Sequence, residues 1–487
     1  MLLTERQCLD LLGHALEHDI VPALAEGSAK YAASLACDTI AELRRREDVV
    51  PGIVAALVPE GLRLLGELEA LNVAVGAAPA KADWQAQGDA PSWRRLMALL
   101  DAGGRFVLDH RDGADAALDV RMSEWLRAVA GLELQFYERL AATSGGGQAP
   151  AVEVGELDRT KLEAHLRARI GDPSLAVTAF EPVMGGLANQ TYFFELTAAG
   201  ETRRLVARKN PGVALFSHGL HRARAEYEVL RLVHAAGLPV AEPLWLFTDQ
   251  ADVAGDFYIM TRLDGRNVGN LAGASERLPE ELMLNLARFL ARLHRIPLDH
   301  FKPFLDRGDL PVTANDTIEQ AVRANVGQLY DVWRQSRRFP SPTEAYVIDW
   351  LRRDVPRNAA RPCLVHTDCF VHNMLVDGND VTGVVDWEAA HFGDPAEDLA
   401  YIQDSVSAFV DWGRFMEAYR AGGGAAIDEE SFGYYRAMLH FRNCFGSNVG
   451  AARVREGFQD LRSVRLTTQF LPIFLKNCVE GTKAGHS

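Results

Sequence analysis

The sequence predicts an α+β chain: an all-α N-terminal region, then a small β-rich segment, then a mainly helical one. Three observations carry that expectation. Residues 1–145 place apolar side chains at helical spacing and show no strand alternation. Residues 175–262 read as strands around a single helix. Residues 364–402 then set a hairpin inside otherwise helical sequence.

Composition excludes several classes. Of 487 residues, 48% are hydrophobic and 24% charged, as in ordinary globular chains. Lys and Arg number 51 against 66 Asp and Glu, a formal charge of −15. That acidity argues against nucleic acid or an anionic membrane as the main partner. Six cysteines form no Cys-x-x-Cys pair, and with acidic residues near the start no signal peptide is expected. No apolar run is expected to reach bilayer length, and a reducing cytoplasm is the expected setting.

In the N-terminal region, Thr4 and Gln7 form a capping box ahead of Leu9, Leu12, Leu16 and Ile20. Further helices are expected over 28–47, 60–73, 93–101 and 115–142, with a loop over 76–91 rich in Ala, Pro and Gly. His14 and His18 lie four apart but have no third ligand. Ser144-Gly145-Gly146-Gly147 marks a linker. The expected domains are therefore a helical one over 1–143, a linker over 144–157, a β-rich lobe over 158–262 and a helical lobe over 263–487.

In the β-rich lobe, a strand near 177–183 meets a turn with Gly185, Gly186 and Asn189, and a second strand follows. Glycine lets backbone N–H groups approach phosphate oxygens closely. The strict Gly-x-Gly-x-x-Gly pattern is absent, and no Walker A pattern occurs. The next strand ends in Arg208-Lys209, which point to opposite faces, so only one can enter a site. Glu226, in the helix that follows, is the candidate acid to pair with that cation. A short apolar strand ending in Met260 leads into a connector, Thr261 to Gly265.

In the hairpin stretch, His366, Asp368 and Asn373 precede one apolar strand, and Asp386 ends the next. Asp377-Gly378-Asn379-Asp380 supplies the turn, since these residues tolerate positive φ. The hairpin would bring Asp368, Asn373 and Asp386 together. Those residue types suit phosphoryl transfer. An Asn oxygen and one carboxylate can hold Mg²⁺, which keeps phosphate oxygens and waters as its other ligands. A second carboxylate can take a hydroxyl proton.

His366-x-Asp368, Asn373 five residues on, and Asp386 after an apolar strand resemble the aminoglycoside phosphotransferase and choline kinase group. Gly393-Asp394-Pro395 with Asp398-Leu399-Ala400 also looks like that group. The resemblance spans about 175–445. It implies a protein-kinase-like two-lobed fold, ATP and Mg²⁺ as cofactors, and a small-molecule hydroxyl as acceptor. It implies Asp368 as base, Asn373 and Asp386 as magnesium ligands, and His366 as a support of the catalytic loop. The Gly185-Gly186 turn with Asn189 would cover phosphates, and the connector beside Met260 would take the adenine. Arg208 falls where many relatives have Lys, which resembles the subgroup fused to acyl-CoA dehydrogenases; Lys209 is the alternative. Asp394 is read as a helix N-cap, and Asp398 as a brace for the loop. The helical domain resembles one of unknown role found beside such kinases, and a homo-oligomer or a protein partner held through it is left open.

Two rival readings use the same residues. A nucleotide-binding scaffold without transfer would explain the missing Lys. Zinc on Cys363, His366, Cys369 and His372 would need four ligands spaced three apart on nearly continuous helix, which Pro362 and the flanking strands oppose. The acceptor stays open among hydroxyacyl-CoA, amino sugars, choline-like and homoserine-like alcohols. Tyr330, Trp333, Asp404, Glu417 and Arg442 are candidate acceptor contacts.

Overall fold

Apolar spacing sets where helices form, but partner surfaces set where they pack. The computed structural model describes residues 12–14, 16–24, 28–74, 92–141, 157–183, 190–198, 200–209, 223–253, 255–270, 273–308, 310–336, 340–455 and 470–484. The Thr4–Gln7 box, the 76–91 loop, the glycine linker, Gly185, Gly186 and Asn189 lie outside the described residues. The chain divides into two units. One comprises Met1–Val152, Tyr330–Asp354 and His440–Ser487; the other comprises Glu153–Leu329 and Val355–Leu439.

The first unit is helical. Its main helices are α1 (Ser28–Ala74), α2 (Trp93–His110) and α3 (Ala116–Ala141). The expected break between 47 and 60 is absent: α1 runs on through Pro51 and Pro59. An interior proline removes one backbone donor and crowds the carbonyl four residues before it, at a cost of about 3 kcal/mol that tertiary packing must offset. Leu57, Leu64, Leu65 and Leu71 are buried, and α1 packs on α2 and α3. This continuity corrects the expectation that no apolar run approaches bilayer length. By length and composition alone, Ala36–Leu71 is long and apolar enough to cross a membrane. Helix α2 continues past its expected end through Gly103, where a Cβ would come within 2.5 Å of Leu68 and 2.7 Å of Trp125. The glycine permits the close helix contact.

The expected boundaries put 330–354 and 440–487 in the C-terminal lobe, and the structure groups them with the N-terminal helices. The helix Pro342–Arg353 packs on α2, α3 and the helix Leu471–Ala484. Polar groups fix its start. Glu133 accepts from Ser341 Oγ at 3.1 Å and from Thr343 N–H at 2.9 Å, and Asp101 accepts from Ser341 N–H at 3.2 Å. Near its other end, Asp349 pairs with Arg111 at 2.5 Å. Trp333 is buried, donating its indole N–H to Glu344 at 2.9 Å, so it is a core residue of this unit.

The second unit is α+β. The helix α4 (Arg159–Ile170) starts at Asp158, whose side chain accepts from Lys161 N–H, and ends at Gly171 with φ +75°. Five antiparallel strands follow: β1 (Ala176–Pro182), β2 (Gln190–Ala198), β3 (Glu201–Lys209), β4 (Pro243–Gln250) and β5 (Gly255–Thr261). Their order in the sheet is β1-β2-β3-β5-β4. The helix α5 (Ala223–Ala235) packs on β4 and β5, and Gly237 closes it at φ +79°. On one face of the sheet, Leu162, Tyr192, Phe194, Leu205, Ala207, Phe257 and Ile259 form an apolar cluster.

The remainder of this unit is mostly helical and holds the hairpin. The short strand β6 (Arg266–Asn267) comes before the helix α6 (Glu280–His294). Later strands are β7 (Cys363–Val365), β8 (Met374–Asp377), β9 (Asp380–Val384) and β10 (His391–Gly393), and the helix α7 (Ala396–Val406) follows. β8 pairs with β9 around Gly378, at φ +58°, and with β6 on its other side; β7 pairs with β10. The two-residue turn is as expected from Asp-Gly-Asn-Asp. A five-stranded antiparallel sheet followed by mostly helical chain is the α+β arrangement that the sequence predicts.

Candidate active site

The strand β3 presents its cation by simple alternation. Leu205 and Ala207 face the apolar cluster, and fully buried Lys209 follows on that side, opposite Phe257. Val206 and Arg208 face the other way, opposite Met260 and Tyr258. Arg208 Nε donates to Glu226 Oε2 at 3.1 Å. Its Nη2 donates to Asp386 Oδ1, and to Glu388 Oε2 at 3.0 Å. One guanidinium thus gathers three carboxylates from α5 and from the end of the hairpin. Half-buried Met260 ends that row just before the connector.

The hairpin brings the other candidates to its open end. Val385 N–H donates to the Asn373 carbonyl at 3.0 Å, which sets Asp386 beside the loop 366–373. Asn373 Nδ2 donates to Asp368 Oδ2 at 2.9 Å and to the Asp368 carbonyl at 3.0 Å. The second carboxylate oxygen of Asp368 accepts from Tyr401 Oη and meets His372 Nε2 at 3.0 Å. Half-buried Asp368 is therefore held on both oxygens by three side chains.

Asp398 braces this loop from α7. It accepts the backbone N–H of His366 at 3.0 Å and that of Thr367, and meets His294 Nε2 at 2.9 Å. Thr367 sits at φ +62° and Asp386 at φ +66°. Such conformations cost about 1–3 kcal/mol in a non-glycine residue and persist where surrounding bonds hold them. Thr367 Oγ1 donates to the Ala389 carbonyl at 3.1 Å. His366 Nε2 donates to the Val385 carbonyl at 3.0 Å, Nδ1 accepts from Asp368 N–H at 3.2 Å, and the ring stands edge-on to Trp387. Thus His366 ties the loop to the strand that leads into Asp386. Asp394 accepts from Ala396 N–H while Glu397 accepts from Asp394 N–H, a reciprocal cap at the start of α7.

Electrostatics follow from burial and pairing. Burial alone would lower Arg208, but Glu226, Asp386 and Glu388 hold its guanidinium well above the ordinary value. Burial pushes Glu226 up against the pull of Arg208. Burial and the neighbouring Asp386 push Glu388 well up. Burial would also raise Asp368, yet the bonds from His372 and Tyr401 hold it below the usual carboxylate range. Burial lowers His366.

The donor set suits a hard divalent ion that needs few protein ligands. The Asn373 amide nitrogen is engaged by Asp368, so its Oδ1 is the atom that can face a cation. Asp386 offers a half-exposed carboxylate beside it. Zinc finds no such set: His366 has both nitrogens engaged and His372 is on Asp368. Among the described residues no group of three or more His, Cys, Asp or Glu is placed to hold a metal ion.

Glu388 and Tyr401 are not among the residues the sequence points to, and it offers His372 only as a zinc ligand. Glu388 stands two residues after Asp386, and Tyr401 three after Asp398 on the same helix face. Those spacings were the available signal.

The model of the phosphotransferase enzyme family matches residues 179–439. Acyl-CoA dehydrogenase family member 11 of Mus musculus is 26% identical over 274 residues, covering 55% of this chain and 33% of that protein. Member 10 of the same organism is 26% identical over 258 residues, covering 52% and 22%. The chain spans about a third or less of the length of these curated relatives. Among solved structures, a thermostable mutant of aminoglycoside phosphotransferase APH(4)-Ia with ADP and hygromycin B is 18% identical. Its TM-score is 0.43, covering 67% of this chain and 99% of that one. Macrolide 2′-phosphotransferase from Brachybacterium faecium is 20% identical at TM-score 0.42, covering 62% and 96%.

Proposed function

The chain belongs to the phosphotransferase enzyme family, its match covering more than half of the residues. From that premise we propose that it moves the γ-phosphoryl group of ATP to a hydroxyl of a small molecule. The observation that carries this reading is the meeting of Asp368, Asn373 and the Arg208–Asp386 pair around one hairpin end.

Each residue then has a role. Asp368 orients the acceptor hydroxyl and takes its proton as the oxygen attacks phosphorus. Arg208 steers the nucleotide phosphates and is itself held by Glu226. Asn373 and Asp386 would hold Mg²⁺, with Glu388 beside them. The bound ion would neutralise charge on the phosphate oxygens. His366 and Asp398 keep the loop in place. Gly185, Gly186 and Asn189 are assigned to the turn over the phosphates, and the connector after Met260 to the adenine.

For the acceptor, the relatives named for acyl-CoA dehydrogenases support testing hydroxyacyl-CoA first. Amino sugars, choline-like and homoserine-like alcohols form the comparison set. ADP release should appear with one acceptor class, require Mg²⁺ and vanish in Asp368→Asn. Tight Mg·ATP binding with no turnover on any acceptor would instead support a non-catalytic scaffold.

A further inference from the structure

Asp368 already has its hydrogen-bonding places largely filled. A carboxylate offers about four acceptor positions, two on each oxygen. On Oδ1 both are taken, by Tyr401 Oη and by His372 Nε2 at 3.0 Å. On Oδ2 one is taken, by Asn373 Nδ2 at 2.9 Å. His372 and Asn373 belong to the same loop as Asp368, so their bonds are part of its fixed shape. Tyr401 is different. It comes from α7, 33 residues away, and its ring is only half-buried. A phenol that donates to a carboxylate mimics an alcohol that does the same.

We propose that Tyr401 is a gate on Asp368, its hydroxyl holding the place on Oδ1 that the acceptor hydroxyl takes. The proposal rests on Asp368 being the base. It assigns Tyr401 a task distinct from bracing: shielding bound ATP from water until an acceptor displaces the phenol. The reaction it suppresses is hydrolysis. In that reaction a water oxygen would bond to the γ-phosphorus and the water proton would pass to Asp368. The bond from phosphorus to the β–γ bridging oxygen would break, giving ADP and phosphate. The acceptor, being an alcohol larger than water, brings contacts that repay displacement of the phenol; water does not.

The test uses the full chain with Mg·ATP and water as the only acceptor, following ADP release. Tyr401→Phe removes only the oxygen, and Tyr401→Leu removes the ring as well. Both should raise acceptor-independent ADP release by about tenfold, less than the 10²–10⁴ that a positioned base contributes. The rise should disappear in Tyr401→Phe combined with Asp368→Asn. If neither single variant exceeds wild type, while Asp368→Asn alone still lowers ADP release, the gate is overturned and the base assignment stands. If the rise persists in the double variant, or Asp368→Asn alone changes nothing, the base assignment falls and the gate with it.

Discussion

Arg208 and Asp386 stand 178 residues apart in sequence and are ion-paired through Nη2 and Oδ1. The pair joins the middle of a five-stranded sheet to the end of the hairpin, so the cation proposed to steer phosphates and the carboxylate proposed to hold metal share one network. Glu226 and Glu388 complete it on the same guanidinium.

Removing Arg208 should therefore damage both binding and stability. Arg208→Ala leaves three carboxylates facing one another, and breaking a buried pair costs about 3–5 kcal/mol. The variant should melt lower and show a strongly raised KM for ATP. Lys209→Ala, on the apolar side of the sheet, should lower the melting temperature with KM for ATP near wild type. Initial rates and thermal melting rank the two, and the reverse ranking would reassign the strand's faces.

Asp368→Asn should separate chemistry from binding. An amide keeps the size and can still accept from His372 and Tyr401, but it is no useful base. We expect kcat to fall by about 10²–10⁴ with Mg·ATP affinity nearly intact. Calorimetry with Mg·ATP beside turnover measures both. Normal turnover in this variant would remove Asp368 from the mechanism.

Asp398→Ala should loosen the loop 366–373. It orphans the backbone N–H groups of His366 and Thr367 at about 1–3 kcal/mol each. Burial would raise Asp398, but His294 and the loop hold its folded pKa below the ordinary 3.8. Its stabilisation is thus fully present above pH 3.8 and is lost as pH falls through the folded value. Acid titration of stability should show a shallower loss below pH 3.8 in the variant than in wild type.

Glu133 should give the opposite pH dependence in the helical unit. Burial pushes its carboxyl up to about 7 from 4.5, against the bonds from Thr343 and Ser341. A raised folded pKa means stability fully present below pH 4.5 and lost as pH rises through about 7. The loss should be on the order of 3 kcal/mol. Glu133→Gln keeps one acceptor oxygen without the charge. Melting at pH 5 and pH 8 should differ less in the variant than in wild type; an equal difference would place the titration elsewhere.

Much of the site was legible because its chemistry is local in sequence. Asp368 and Asn373 share one loop, and Asp386 is one tight hairpin away, so turn residues alone bring them near. Strand alternation reduced Arg208 and Lys209 to an either-or, which only the sheet's two faces resolve. The three-sided grip on Asp368 was not legible, because Tyr401 reaches it from another element and a tyrosine in an apolar helix reads as core. Trp333 shows the converse: an aromatic near the expected acceptor wall is buried in the other unit, on Glu344.

By itself the sequence determined the α+β class, the hairpin, the residue types for phosphoryl transfer and most helix positions. These depend on periodicity, turn chemistry and caps, which act over a few residues. Tertiary structure alone decided which carboxylates share Arg208, which face Lys209 occupies, and that residues 330–354 and 440–484 complete the helical unit. An apolar stripe states that a helix must be covered but not by what. The choice of cover is made by the fit of distant surfaces, such as Glu133 meeting the first turn at Thr343, and no local pattern encodes that fit.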